Sequence, residues 1–454
     1  MTAAASAGCF RATFSRESAL AWRPTIPQPR VGDSPVMAAA GSVWALLAGM
    51  GLLLLGNGLQ YSLIGVRASN EGFSGTVTGL VMSGYFLGFL AGSFGTPRAV
   101  QRVGHLRVFA AAAALASVAI LVQSLIISPT AWFVMRLATG LAYASAYIVT
   151  ESWLNDRVTN EHRGGLLSVY MVISFFGMGG GQLLLNAGNP DKPELFILVS
   201  VLISVAAIPI LLSVLPQPVL RPPARLNPLI LYRIVPMGVV ACFTTGILQS
   251  ALLGMGAVYA RGIGMSVQQV SLFMFVLIMG AAVFQWPIGK LSDRMDRCRM
   301  IAVLALIGAL SAALAVPLGH LGPTWLIVMA VPIGATLLPM YSIAIAHTND
   351  YVDQDQRVAA SGVLTLVFGL GAVLGPSTAG AVMDAIGPDG YLWMMAAVLV
   401  LLVVYELLRT RRGPTKPAEQ QSPYTPSPQR TASLAEAYVE SGREQNEEEA
   451  QRND

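Results

Sequence analysis

Asn155-Asp156-x-Val158-x4-Arg163 returns 194 residues later as Asn349-Asp350-x-Val352-x4-Arg357. The same offset pairs Gly140 with Gly334, Gly177 with Gly371 and Gly181 with Gly375. Earlier in each copy, Leu59-Gln60-x-x-Leu63-x-Gly65 returns as Leu248-Gln249-x-x-Leu252-x-Gly254, an offset of 189. Matches that fall in order at nearly constant spacing mean that one structural unit is written twice. Composition says what kind of unit it is. The chain has 454 residues, of which 54% are apolar and 11% are charged, where a soluble protein carries about 25% charged residues. Most of its surface must face lipid, which excludes a cytosolic enzyme and confines disorder to the ends.

A bilayer-spanning helix needs about 20 mostly apolar residues. Twelve such runs are present, at 37–63, 75–97, 106–128, 131–153, 163–188, 194–215, 229–259, 267–290, 299–319, 324–347, 357–383 and 390–410. In hydrocarbon each must close its own backbone hydrogen bonds, so the runs are helices. The expected organisation follows. Residues 1–36 form an extension that is either disordered or a mis-assigned start ahead of Met37. Residues 37–215 and 229–410 form two six-helix bundles, joined by a Pro- and Arg-bearing loop at 216–228. Residues 411–454, rich in Pro, Ser, Gln and Glu, form a disordered tail. The loops on the side of the termini carry thirteen Lys and Arg, from Arg98 to Arg357, and the opposite loops carry three, Arg67, Lys192 and Arg261. By the positive-inside rule both termini are cytoplasmic. The same asymmetry accounts for the basic balance without nucleic acid.

Cys9, Cys242 and Cys298 form no CxxC pair, the four histidines have no metal-ligand spacing, and no phosphate-binding GxxxxGK[ST] loop occurs. No cofactor or metal is therefore expected, and the chain does not read as an ATP-driven pump.

Gly289-Lys-Leu-Ser-Asp293-Arg294-Met-Asp-Arg297-Cys-Arg299 resembles the loop motif of the major facilitator superfamily, with Asp296 at the second glycine position. The first-half copy, Arg102-Val-Gly104-His105-Leu-Arg107, has Gln101 where the family has aspartate. Arg136-x-x-x-Gly140 resembles the fourth-helix motif of proton-coupled members. Gly371-x-x-x-Gly375-Pro376 resembles the antiporter motif of the fifth helix but lies in the eleventh, and the fifth helix has Gln182 in the proline's place. Tyr147-Ile-Val-Thr-Glu151-Ser152-Trp153-Leu-Asn155 and Asn57-Gly-Leu-Gln60 resemble the YcaD-like branch of bacterial members. The resemblance implies an all-α fold of two pseudo-symmetric six-helix bundles and a transport function, and it names no cargo.

Charges inside a span are costly and face a cavity or a partner. Glu151 is accordingly expected to be a protonation site or part of the inner gate, against the alternative of a solvated helix end. Arg136 is expected to take part in energy coupling, against the alternative of snorkelling to the headgroups. The two lie fifteen residues apart on one helix, about 22 Å at 1.5 Å per residue, so they do not pair. Asn57, Gln60, Gln182 and Gln249 are candidates to line the substrate cavity, with Gln60 and Gln249 at matching places. The superfamily's loop aspartate contacts the start of a helix in the opposite half. By that resemblance Asp293 latches to Arg163, and the mirror pair, Gln101 with Arg357, lacks the negative charge. Arg294, Arg297, Asn155, Asp156, Asn349 and Asp350 complete the expected gating set.

The expectation is a monomeric secondary transporter of the bacterial inner membrane. It moves a small organic solute through the bilayer by alternating access, coupled to protons, with export preferred over import. The competing class is a polytopic sensor or intramembrane enzyme. Against it, the spans hold no paired catalytic set, while the repeat is what a rocking carrier requires.

Overall fold

The computed structural model describes residues 44–156, 163–212, 226–353 and 356–410, the side chains of residues 155, 156, 163–165, 167, 358 and 410 excepted. Within them lie twelve helices long and apolar enough to cross a membrane. The first six are α1 (Trp44–Asn70), α2 (Gly75–Val103), α3 (His105–Leu125), α4 (Pro129–Asp156), α5 (Arg163–Leu183) and α6 (Glu194–Leu211). The second six are α7 (Pro236–Gly262), α8 (Val267–Ser292), α9 (Arg297–Leu321), α10 (Pro323–Asn349), α11 (Arg357–Ile386) and α12 (Gly390–Thr410).

These helices are apolar on every side, as spans are and amphipathic surface helices are not. On α9, for example, Leu304 and Ala312 are buried while Leu306, Leu310 and Leu314 are exposed. The repeat is carried by local chemistry as well as by hydropathy. Ser74 caps α2 by accepting from the Val77 N–H, and Ser266 caps α8 in a capping box with Gln269. Each supplies an acceptor for an otherwise orphan N–H.

Packing repeats too. In the first half α2 packs on α4 and α1 on α5; in the second α8 packs on α10 and α7 on α11. A Cβ at Gly140 would strike the Tyr85 carbonyl oxygen, and one at Gly334 would strike that of Leu277. Gly88 stands against Leu137 as Gly280 stands against Val331. These glycines let two backbones approach as only small residues allow. The bundles meet along α2–α11, α5–α8 and α1–α7.

Three elements differ from the hydropathy reading. Helix α1 runs on to Asn70, and the chain turns only at Gly72, which has a φ of +75°. The run 229–259 divides into a short helix, Pro228–Ile234, and α7, because Pro236 lacks an N–H and pushes Val235 out of the helical region. Helix α10 breaks between Leu337 and Met340 at Pro339.

Candidate functional site

The bundles enclose a central cavity with about 810 Å³ of atom-free space, its mouth included. Helices α1, α2, α4 and α5 line one side, and α7, α8 and α10 line the other. Tyr147 and Tyr341, 194 residues apart, occupy matching places on its two walls. No charged side chain lines it among the described residues. Its polar groups are neutral, set among Phe, Met, Leu and Ile. Asn57 lines it and donates through Nδ2 to the hydroxyls of Tyr147 (3.0 Å) and Tyr85 (3.4 Å).

The break in α10 forms part of this cavity. Pro339 cannot donate to the helix and its ring crowds the preceding turn. At the break, Gln249 of α7 donates through Nε2 to the carbonyls of Leu337 (3.0 Å) and Leu338 (2.9 Å). Interrupted helices in membranes are tolerated where side chains satisfy the backbone and a cavity is lined. Tyr341 and Ser342, just past the break, both face the cavity.

Gln60, the repeat mate of Gln249, has different surroundings. It is fully buried, does not line the cavity, and its amide atoms have no hydrogen-bond partner among the described residues. Where α10 has Pro339, α4 has Ser145, so α4 continues unbroken and offers no freed carbonyls. Gln182 is also buried away from the cavity lining, accepting from Ser62 and so tying α5 to α1.

Away from the termini, a hydrogen-bonded seam joins the bundles. The Asp384 carboxylate of α11 accepts from the backbone N–H groups of Gly75 (2.7 Å) and Thr76 (2.8 Å), the first residues of α2. Negative charge is favoured at a helix N-terminus by the orphan donors and the dipole. Ser83 and Ser377 hydrogen-bond at 2.7 Å on the same helix pair. Arg261 donates to Asn70 (3.1 Å), Asn186 to Ser271 (2.9 Å), and Ser271 to the Gln182 carbonyl (2.7 Å).

Arg136 is fully buried. Its guanidinium carbon lies 4.7 Å from the Tyr85 ring centre and 5.3 Å from that of Tyr61, so it does not snorkel to the headgroups. Each desolvated cation–π contact contributes about 2 kcal/mol. No nitrogen of the group has a hydrogen-bond partner among the described residues. Both rings line the cavity, which places the charge one aromatic layer behind its wall. Glu151 is 2% exposed and accepts from the Tyr170 hydroxyl at 2.9 Å, so it is not a solvated helix end.

The sequence profile described as Major Facilitator Superfamily matches residues 36–337 and 234–440. The chain belongs to the Major Facilitator Superfamily. It is 29% identical over 377 residues to the uncharacterized MFS-type transporter YcaD of Escherichia fergusonii, covering 83% of this chain and 97% of that one. The YcaD protein of Escherichia coli O7:K1 is 28% identical over the same coverage. Among solved structures, the nucleoside transporter NupG superposes with a TM-score of 0.67 at 15% identity, over 81% of this chain and 98% of that one. A bacterial homolog of the human lysosomal transporter Spinster, inward-facing and occupied, superposes with a TM-score of 0.68 at 15% identity, over 86% and 99%. At that identity the last two establish the fold alone.

In this major facilitator the loop motif is tied into its own bundle. Asp293, 39% exposed, lies 3.6 Å from Arg297, which is buried. Arg297 donates to the Ala346 carbonyl (2.8 Å) and pairs with the buried Asp350 carboxylate at the end of α10. The motif therefore anchors α9 to α10. Arg294 is exposed, and Asn349 and Arg357 are half-buried. The side chains of Arg163, Asn155 and Asp156 lie outside the described residues, so the partner expected for Asp293 across the bundles is not among those described.

Two features escaped the sequence reading. Tyr147 and Tyr341 pair at the same 194-residue offset as the motifs, a signal that was available. Asp384 is the one acid in the run 357–386, which marks it, but its role depends on where α2 begins.

Proposed function

We propose that this major facilitator is a proton-coupled carrier that exports a small organic solute across the bacterial inner membrane by alternating access. One observation carries the reading: two bundles of repeated packing enclose an uncharged cavity and are hydrogen-bonded together on one side of it. Rocking of one bundle on the other, with that seam parting, would expose the cavity alternately. The excess of Arg in loops on the termini side supports cytoplasmic termini, and on that orientation the sealed side is the outer one. The cavity is complete within one chain, which supports a monomer.

Glu151 is the proton carrier in this proposal. A buried carboxylate held by a tyrosine hydroxyl can gain or lose its proton as the surrounding helices change their water access. Arg136 supplies the fixed charge in the other half of α4. The closing off of the outer side gives way as Asp384 leaves the start of α2, and the motif around Asp293, Arg297 and Asp350 stiffens the opposite end.

Full-length protein in sealed proteoliposomes, given a pH gradient and a panel of small organic solutes, tests this. Solute-dependent proton movement is expected from the wild type and should be lost in Glu151→Gln. Solute flux that ignores the pH gradient would discard the proton. The absence of any flux would leave the fold and remove the carrier.

A further inference from the structure

Arg136 has a charge with no visible answer. Its three nitrogens lack hydrogen-bond partners among the described residues, and the group is fully buried in the membrane-embedded part of the fold. The rings of Tyr61 and Tyr85 lie against it, with Tyr143 also near, and ring faces stabilise a cation without neutralising it. The buried acid of α4, Glu151, is fifteen residues away on the same helix, about 22 Å. A buried guanidinium left without a counter-charge is a costly state, and such groups are retained where something pairs with them.

The cavity immediately beyond the two rings is built to admit that counter-charge. It contains no carboxylate among its described lining residues, so nothing there competes with an anion or repels one. Its polar groups include the Tyr147 and Tyr341 hydroxyls, which can donate, while the Ser174 hydroxyl donates to the Tyr170 carbonyl (2.7 Å). The rest of the wall is apolar and aromatic, with Phe89, Phe175 and Leu253 among it. Water in such a cavity would be poorly held, and an apolar organic body would displace it readily.

We infer that the cargo is an amphipathic organic monoanion, a carboxylate on an aromatic or aliphatic body, which seats in the central cavity with Arg136 as its counter-charge. The inference rests on the carrier reading for the word cargo, and on the Arg136 site alone for the anion. The anionic end lies toward Tyr61 and Tyr85 and the apolar body toward Phe89 and Phe175. Tyr61 and Tyr85 act as the screen between the two charges: with the anion bound, a small rotation of either ring lets the guanidinium reach it. The loaded site is neutral, as a site that must be enclosed within a bilayer requires. An inside-negative potential drives such an anion outward, the direction proposed above.

The test is a binding measurement followed by a flux measurement. Purified full-length protein is melted with benzoate, phenylacetate and hexanoate, and with the matched benzamide, hexanamide and benzylamine. The anions should raise the melting temperature of the wild type, and the neutral and cationic analogues should not. Arg136→Gln should weaken anion binding about ten- to hundredfold, the loss of one or two charge-assisted hydrogen bonds. Arg136→Lys, which keeps the charge, should retain the preference for anions at reduced affinity, and it serves if the glutamine variant does not fold. Stabilisation by amides or amines as strong as by the anions overturns the inference. So does equal stabilisation of Arg136→Gln and wild type, or no stabilisation by any carboxylate.

The same solutes are then offered to proteoliposomes. An anion that binds through Arg136 but does not cross would keep the site and remove the carrier. A neutral or cationic solute that crosses would keep the carrier and remove the anion site.

Discussion

The two bundles share a frame and differ in what they place inside the membrane. In the first, α4 is unbroken and carries Arg136 behind the rings of Tyr61 and Tyr85 and Glu151 against Tyr170. In the second, α10 is broken at Pro339, with Gln249 closing the break. The position matching Arg136 at the 194-residue offset is Ala330. The glycine contacts, helix caps and packing pairs are duplicated, while Arg136, Glu151 and the interruption are not. Duplication has preserved what the helices need in order to pack, and divergence has placed buried Arg136 and Glu151 on α4 in one half and a helix break on α10 in the other.

The shared frame predicts the largest effect. Leucine at Gly140 or Gly334 would have to displace backbone, since even a Cβ meets a carbonyl oxygen there. Both variants should fail to yield a monodisperse protein by size-exclusion chromatography. A frame that is shared in sequence only would let one of the two fold normally.

Next comes the anchor of the second half. Asp350→Asn removes the charge facing buried Arg297, and breaking a buried pair from one side costs about 3–5 kcal/mol. Asp293→Asn touches a pair with one partly exposed member and should cost less than about 1 kcal/mol. Denaturation in detergent would rank them. Equal losses would mean that Asp293 carries a contact beyond its own bundle.

A smaller and sharper contrast concerns the glutamines. Gln249→Leu strands the carbonyls of Leu337 and Leu338, at about 1–3 kcal/mol. Gln60→Leu removes an amide without described hydrogen bonds and should be neutral or stabilising. Melting curves that fall alike for both would restore the equivalence which the repeat suggests.

That contrast also marks the limit of what could be read from residues alone. Twelve spans and the doubled frame are legible because hydrocarbon forces one solution on the backbone and leaves long apolar runs. The burial of Arg136 and Glu151 is legible because a charge in a span has few places to go. The roles of Gln60 and Gln249 are not, because the two stretches are alike and the difference lies in a proline 90 residues beyond Gln249. Asp384 is similar: its carboxylate matters only because α2 begins beside it, 309 residues away in sequence. Long-range pairings of this kind leave no periodic signal in the chain.

Alternating access is tested most directly by two distances measured on the same protein. With Cys9, Cys242 and Cys298 replaced, one pair of spin labels goes to Glu71 and Gln268, on the side of the seam. The other goes to Arg102 and Arg294, on the side of the termini. Asp384→Asn removes the charge that binds α11 to the start of α2. It should lengthen the first distance in a second population and shorten the second distance in the same fraction of molecules. Two distances that lengthen together, or that both stay fixed with solute and variant alike, would contradict a carrier that rocks about its central cavity.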